Sequence, residues 1–144
     1  MTTILIKCRK PHYYLQEGQW ELDNENGESP VIAILDPQKV RAALNGKGER
    51  FAPSHDRIEK LMIKIRENGY LELPEVRDGS YGGIAFCQGR HRTTALANLG
   101  FSAYPVVTTD EDAPSLLEKF GASVDDAREH FDWTDILDYP VVGL

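Results

Sequence analysis

The chain has 144 residues, 41% of them hydrophobic, which is enough for one domain with a buried core. Its formal net charge of −7 is unevenly spread: residues 1–109 hold 14 Lys/Arg against 13 Asp/Glu, and residues 110–144 hold 2 against 10. That balance argues against a general DNA binder, which needs a basic face, although a local basic groove on the body stays compatible with it.

No run approaches the ~18 apolar residues of a membrane span. The opening MTTILIKCRK becomes charged too soon for a secretory signal. Cys8 and Cys87 lack a metal-ligand spacing and read as free thiols in a reducing cytoplasm, with pairing left open.

In chain order, TILIK (residues 3–7) predicts a strand. KPHYYLQEGQWELD alternates loosely and predicts one or two edge strands, limited to an edge by Pro11. His12, between Pro11 and Tyr13, reads as a surface residue, and DNENGESP as a loop. Val31 to Leu35 is a compact apolar run, predicting an inner strand. Asp36 then caps a helix that has Pro37 at its first position and ends near Asn45-Gly46. GKGERFAP follows as a basic loop without the P-loop pattern, so Lys47 and Arg50 read as solvated.

Ser54 predicts the start of a second helix that runs to Asn68 and stops at Gly69. Ile58, Leu61, Met62 and Ile65 form its core face, and Arg57, Lys60 and Lys64 share a neighbouring stripe. That stripe is either a phosphate-facing row or a solvated face with long stems on the core rim. YLELPEV predicts a strand broken by Pro74, carrying Glu72, and RDGSYGG a turn.

Residues 84–100 have the strongest chemical character. Ile84, Phe86 and Gln88 alternate with Ala85 and Cys87, predicting a strand, and Gly89 permits a sharp turn. Arg92, Ala95, Leu96 and Leu99 then follow helical spacing, with Gly100 as the C-terminal cap. A strand, a glycine turn and a helix opening Arg90-His91-Arg92 predict an anion site. Backbone N–H groups and the positive helix end add to the cationic side chains there, and Thr93 and Thr94 offer hydroxyls. The alternative is that Arg92 pairs with a buried carboxylate and only staples the fold. AYPVVTT predicts the last inner strand. The acidic end predicts two short helices, packed by Leu116, Leu117 and Phe120, and by Ala127, Phe131 and Trp133.

GRHRTTALANLGFSAYPVVTT resembles the second box of the ParB/sulfiredoxin superfamily, in which Gly-x-(His or Arg)-Arg opens a helix and a strand ending in Pro-Val follows. IEKLMIKIRENGYLELPEV is similar to its first box, a helix ending Ile-Arg-Glu-x-Gly before a Pro-containing strand. The resemblance implies a single compact α/β domain with a mixed sheet and packed helices. It implies that Gly89, Arg90, His91, Arg92, Thr93 and Thr94 hold the phosphates of an NTP such as ATP or CTP, with Lys60 and Lys64 nearby and Mg²⁺ sharing the charge. His91, as proton donor or phosphate ligand, and Glu72, holding Mg²⁺ or a bound hydroxyl, are the implied catalytic candidates. Glu72 is equally placed to pair with Arg92.

Superfamily members include CTP-binding partition proteins, ATP-using sulfiredoxins, free-serine kinases and plasmid-encoded proteins with ATPase and DNase activity. Two features of this chain depart from that pattern. Arg90 stands where sulfiredoxins carry the catalytic cysteine, and the acidic end does not resemble a helix-turn-helix DNA-binding region. The expectation is therefore NTP hydrolysis or phosphoryl transfer, with metal-dependent DNase activity as a further implication. The competing expectation is a non-catalytic, nucleotide-responsive regulator. The acidic end would then shield Lys60 and Lys64, offer Phe131 and Trp133 to a protein partner, or simply pad the core.

Overall fold

The computed structural model describes residues 5–9, 29–44, 54–79, 83–136 and 139–143. The expectations for the Pro11 stretch, His12, Lys47 and Arg50 fall outside them, as does the Cys87 side chain. The architecture is mixed α/β, with helices packed around two sheets.

The larger sheet has the order β2-β6-β4-β5. Strand β2 (Pro30–Leu35) is antiparallel to β6 (Tyr104–Thr109) over its whole length. Strand β4 (Glu75–Arg77) is parallel to β6 and antiparallel to β5 (Ala85–Gln88). Every residue of β6 is buried, the continuous apolar signature of a strand covered on both faces. By order β2 is an edge rather than an inner strand. Its outer side is nevertheless closed: Ile32 N–H bonds to Pro140 O, and Val142 N–H bonds to Ile32 O.

The smaller sheet is parallel throughout. Strand β1 (Ile6–Arg9) lies between β3 (Tyr70–Glu72) and β7 (Phe131–Asp132). The predicted first strand thus starts later than expected and runs to Arg9. The single strand expected from Tyr70 to Val76 is in fact two, in different sheets. Pro74 has no N–H to continue a ladder, so the chain crosses there. Leu73 N–H bonds back to Arg9 O, and Pro74 O accepts from Val107 N–H on the far side.

Helix α1 (Pro37–Leu44) starts as predicted, with Asp36 Oδ1 accepting the Gln38 N–H at 2.8 Å. Helix α2 (His55–Asn68) is capped by Ser54 and ends at Gly69, whose φ of 66° is the left-handed conformation that glycine adopts readily. Its seam is narrower than expected: Ile58 and Ile65 are buried, whereas Leu61 and Met62 pack at the core's margin. Helix α3 (Arg90–Asn98) packs against both α1 and α2.

Both predicted acidic-end helices form, α4 (Ala113–Phe120) and α5 (Val124–His130), followed by β7 and a 3₁₀ turn at Thr134–Ile136. Leu116, Phe120, Ala127, Phe131 and Ile136 are buried in the main core. Phe131 is therefore not presented to a partner, and Trp133 packs against the same core. Most of the described acids of this segment are exposed, on elements that the fold needs, whereas Asp112 pairs with Arg77. No helix among the described residues is long and apolar enough to cross a membrane.

Candidate functional site

The site grows from one tight turn. Gly89, with φ 108°, ends β5 and serves as the N-cap of α3. A Cβ there would lie 2.4 Å from Pro74 Cβ and 2.8 Å from Pro74 Cα. The start of α3 thus presses on the crossover between the two sheets, a contact only glycine allows. Gly89→Ala combines this clash with a backbone conformation unfavourable to side chains. It should destabilise the fold by about 2–4 kcal/mol, read from the shift of a urea midpoint.

Because its N-cap is glycine, α3 has no side-chain cap, and its first internal bond runs from Thr93 N–H to Gly89 O. The positive end of the helix is left beside Arg90, His91 and Arg92. At the other end Gly100 N–H bonds to Ala97 O and Phe101 N–H to Leu96 O, closing the helix as the sequence predicts.

Between these ends the predicted single stripe fails. Thr93, Thr94, Ala95, Leu96 and Ala97 are all buried, because neighbours cover the helix on more than one side. The hydroxyls of two expected phosphate donors have partners within the protein. Thr93 Oγ1 lies 2.9 Å from Tyr104 Oη in the core, and Thr94 Oγ1 donates back to Arg90 O at 3.1 Å.

The N-termini of α2 and α3 meet. His91 Nε2 accepts the Ser54 N–H at 3.2 Å, linking the cap of one helix to the first turn of the other. Accepting through Nε2 fixes the neutral imidazole with its proton on Nδ1. Burial, then Arg57, then Arg90 hold the His91 pKa below its ordinary value. A lowered histidine pKa means the folded state prefers the neutral ring. Its contribution is present above the ordinary value near 6.5 and is lost as pH falls through the lowered one. Stability should decline on acidification below about pH 6.5, and His91→Gln should flatten that part of the profile. Thermal melts between pH 7.5 and 5 provide the check.

Arg92 is only loosely engaged here. Its side chain is 21% exposed and makes one long contact, Nη2 to Glu72 Oε2 at 3.5 Å. Nη1 is buried without a hydrogen-bond partner among the described residues. Burial lowers the Arg92 pKa, Glu72 and then Glu75 raise it, and Arg57 lowers it again. Glu75 is 1% exposed, so Arg92 feels both a solvent-reachable carboxylate and a buried one.

The pairing of Glu72 with Arg92 is one of its two expected roles. Among the described residues no three His, Cys, Asp or Glu side chains group as a metal site.

Of the cationic stripe on α2, Arg57 reaches this cluster. Lys60 is 77% exposed and pairs with Asp56, and Lys64 Nζ lies 4.6 Å from the Tyr70 ring centroid. The signal that identifies Arg57 is its place in the first turn of α2. Helical side chains lean toward the N-terminus, so Arg57 overhangs the Ser54 end. Lys60 and Lys64 start roughly 4.5 and 10.5 Å further along the axis.

Cys8 is buried in the core, where desolvation and then Asp132 push its thiol pKa well up, so it is no nucleophile. A separate cleft of about 250 Å³, lined by Ile6, Ile65, Arg66, Gly69, Leu99 and Phe101, lies at the opposite ends of α2 and α3.

The arrangement can do one thing well: two helix N-termini and three guanidinium groups around a neutral histidine can hold an anion. No family model and no curated protein matches the chain. Among solved structures, it is similar to the Oncogenic Suppression Activity Protein, a plasmid fertility inhibition factor, with 20% identity, a TM-score of 0.48 and coverage of 66% of this chain and 58% of that one.

Proposed function

We propose that the first turn of α3 binds the phosphates of a nucleoside triphosphate, as the resemblance to the ParB/sulfiredoxin superfamily implies. The observation that carries this reading is Arg92, a largely buried guanidinium with one loose contact and an unbonded Nη1. A phosphate oxygen would satisfy it, and Arg57 and Arg90 would add charge-assisted bonds. The His91 ring, flanked by both, would gain favourable charge from the same anion. Mg²⁺ would arrive with the phosphates and share their charge.

Turnover is the extension of this reading. NTP hydrolysis or phosphoryl transfer would draw on His91, which accepts the Ser54 N–H, and on Glu72, which contacts Arg92. Their existing engagements, His91 with Ser54 and Glu72 with Arg92, favour a second reading. In it the domain binds nucleotide without consuming it and acts as a regulator toward a protein partner. DNase activity ranks behind both, given the net charge of −7.

Titrating the whole chain with ATP and with CTP, with and without Mg²⁺, separates these readings when released phosphate is followed in the same samples. Binding with phosphate release supports the enzyme, and binding alone supports the regulator. No binding of either nucleotide contradicts the proposal.

A further inference from the structure

We infer that Glu72 is a displaceable counter-ion that competes with an incoming phosphate for Arg92, and so sets which anions the site accepts. The inference rests on the phosphate-binding reading above. It starts from the one ion pair that Arg92 makes among the described residues, a long contact to Glu72.

Glu75 lies in β4, which is hydrogen-bonded to β5 on one side and to β6 on the other. At 1% exposed, it is enclosed and has no route to another partner outside the core. Glu72 lies on β3 at the edge of the smaller sheet and is 31% exposed. Its contact with Arg92 is 3.5 Å, whereas charge-assisted N–H···O bonds of full strength are about 2.7–2.9 Å. The exposed carboxylate therefore holds the guanidinium only loosely, on the side that solvent reaches.

Glu72 also has somewhere to go. Arg9 on β1 is its register partner across the parallel ladder. The Arg9 guanidinium already extends over the Tyr70 ring on the same strand pair, 4.2 Å from the centroid. An anion that takes Arg92 thus leaves Glu72 beside another cation.

An occupant of this kind imposes a threshold. A singly charged anion offers Arg92 little more than Glu72 already does. A doubly charged phosphoryl group offers more charge and more oxygens. The site then favours terminal phosphates over carboxylates and halides, and Glu72 is a specificity-determining residue.

The test is calorimetric titration of inorganic pyrophosphate into wild type, Glu72→Gln and Asp56→Asn at pH 7.5 and 0.15 M salt. Asp56 controls for a general loss of negative charge, since it pairs with Lys60 at the exposed start of α2. Glu72→Gln should bind about tenfold more tightly than wild type, and Asp56→Asn should stay within about twofold of it. Acetate should compete with pyrophosphate measurably better in Glu72→Gln than in wild type. Glu72→Ser serves as a second variant, with circular dichroism confirming the fold of each.

Wild-type binding that is unchanged or weakened in both Glu72 variants overturns the inference and leaves the phosphate site standing. Equal tightening by Asp56→Asn overturns it as well, by reducing the effect to bulk charge. Failure of all four proteins to bind pyrophosphate overturns the inference and the underlying reading together.

Discussion

Arg92→Ala is expected to abolish nucleotide binding, lowering affinity by at least about a hundredfold. Two charge-assisted bonds, each roughly 1.5–3 kcal/mol, account for that loss. Part of the effect on stability has a different source. Arg92 is largely buried itself and lies in the field of the buried Glu75, so truncation removes packing and a favourable charge.

Arg92→Lys separates the two effects. It keeps a positive charge for Glu75 but loses the planar fork, so the protein should fold and still bind poorly. Arg90→Ala should weaken binding less, because Arg90 would only add to the contact that Arg92 makes. Calorimetry with ATP and CTP, alongside urea denaturation of each variant, checks this pattern. A folded Arg92→Ala protein with unchanged affinity would return Arg92 to a purely structural role.

Deleting the chain from Asp110 onward should unfold it. The segment supplies Leu116, Phe120, Ala127, Phe131 and Ile136 to the core. It also provides β7 beside β1 and the residues that close the edge of β2. Losing a single large buried side chain costs about 2–5 kcal/mol, and whole domains are stable by about 5–15. Several such losses exceed the total.

The segment also ties down the β4–β5 connection. Asp112 Oδ2 accepts from Arg77 Nε at 3.1 Å, and Lys119 bonds Asp78 Oδ1 at 2.5 Å and Gly83 O at 2.9 Å. The Lys119 bond is the main reason the Asp78 carboxyl titrates below its ordinary value. A truncated protein without a cooperative melt by circular dichroism is the expected result. A folded truncation would show that the acidic end is an appendage, reviving the idea that it shields Lys60 and Lys64.

What the sequence made legible was local. The change of period after Gly89 marks the strand-to-helix switch, and Asp36, Ser54, Gly69 and Gly100 mark helix ends by their own chemistry. The basic first turn of α3 followed from the same signals. Pairings distant in sequence were not legible. Pro74 announces a break, but the separation of β3 from β4 depends on β1, some sixty residues earlier. The two-residue strand β7 has no periodicity to detect, and it exists because β1 offers a free side.

The burial of Thr93 was not legible for a related reason. An amphipathic pattern presumes one buried face, and α3 is enclosed on several. Arg57 was undervalued because its importance comes from α3, which approaches the start of α2 only in the folded chain.

The central claim is that phosphate sits at the first turn of α3, and a crystal structure of the chain soaked with ATP and Mg²⁺ tests it most directly. Phosphate density is expected within hydrogen-bonding distance of Arg92, with Arg57 and Arg90 turned toward it and Glu72 moved from its contact with Arg92. Nucleotide bound elsewhere, such as in the cleft lined by Ile65, Leu99 and Phe101, with Arg92 still on Glu72, would contradict it.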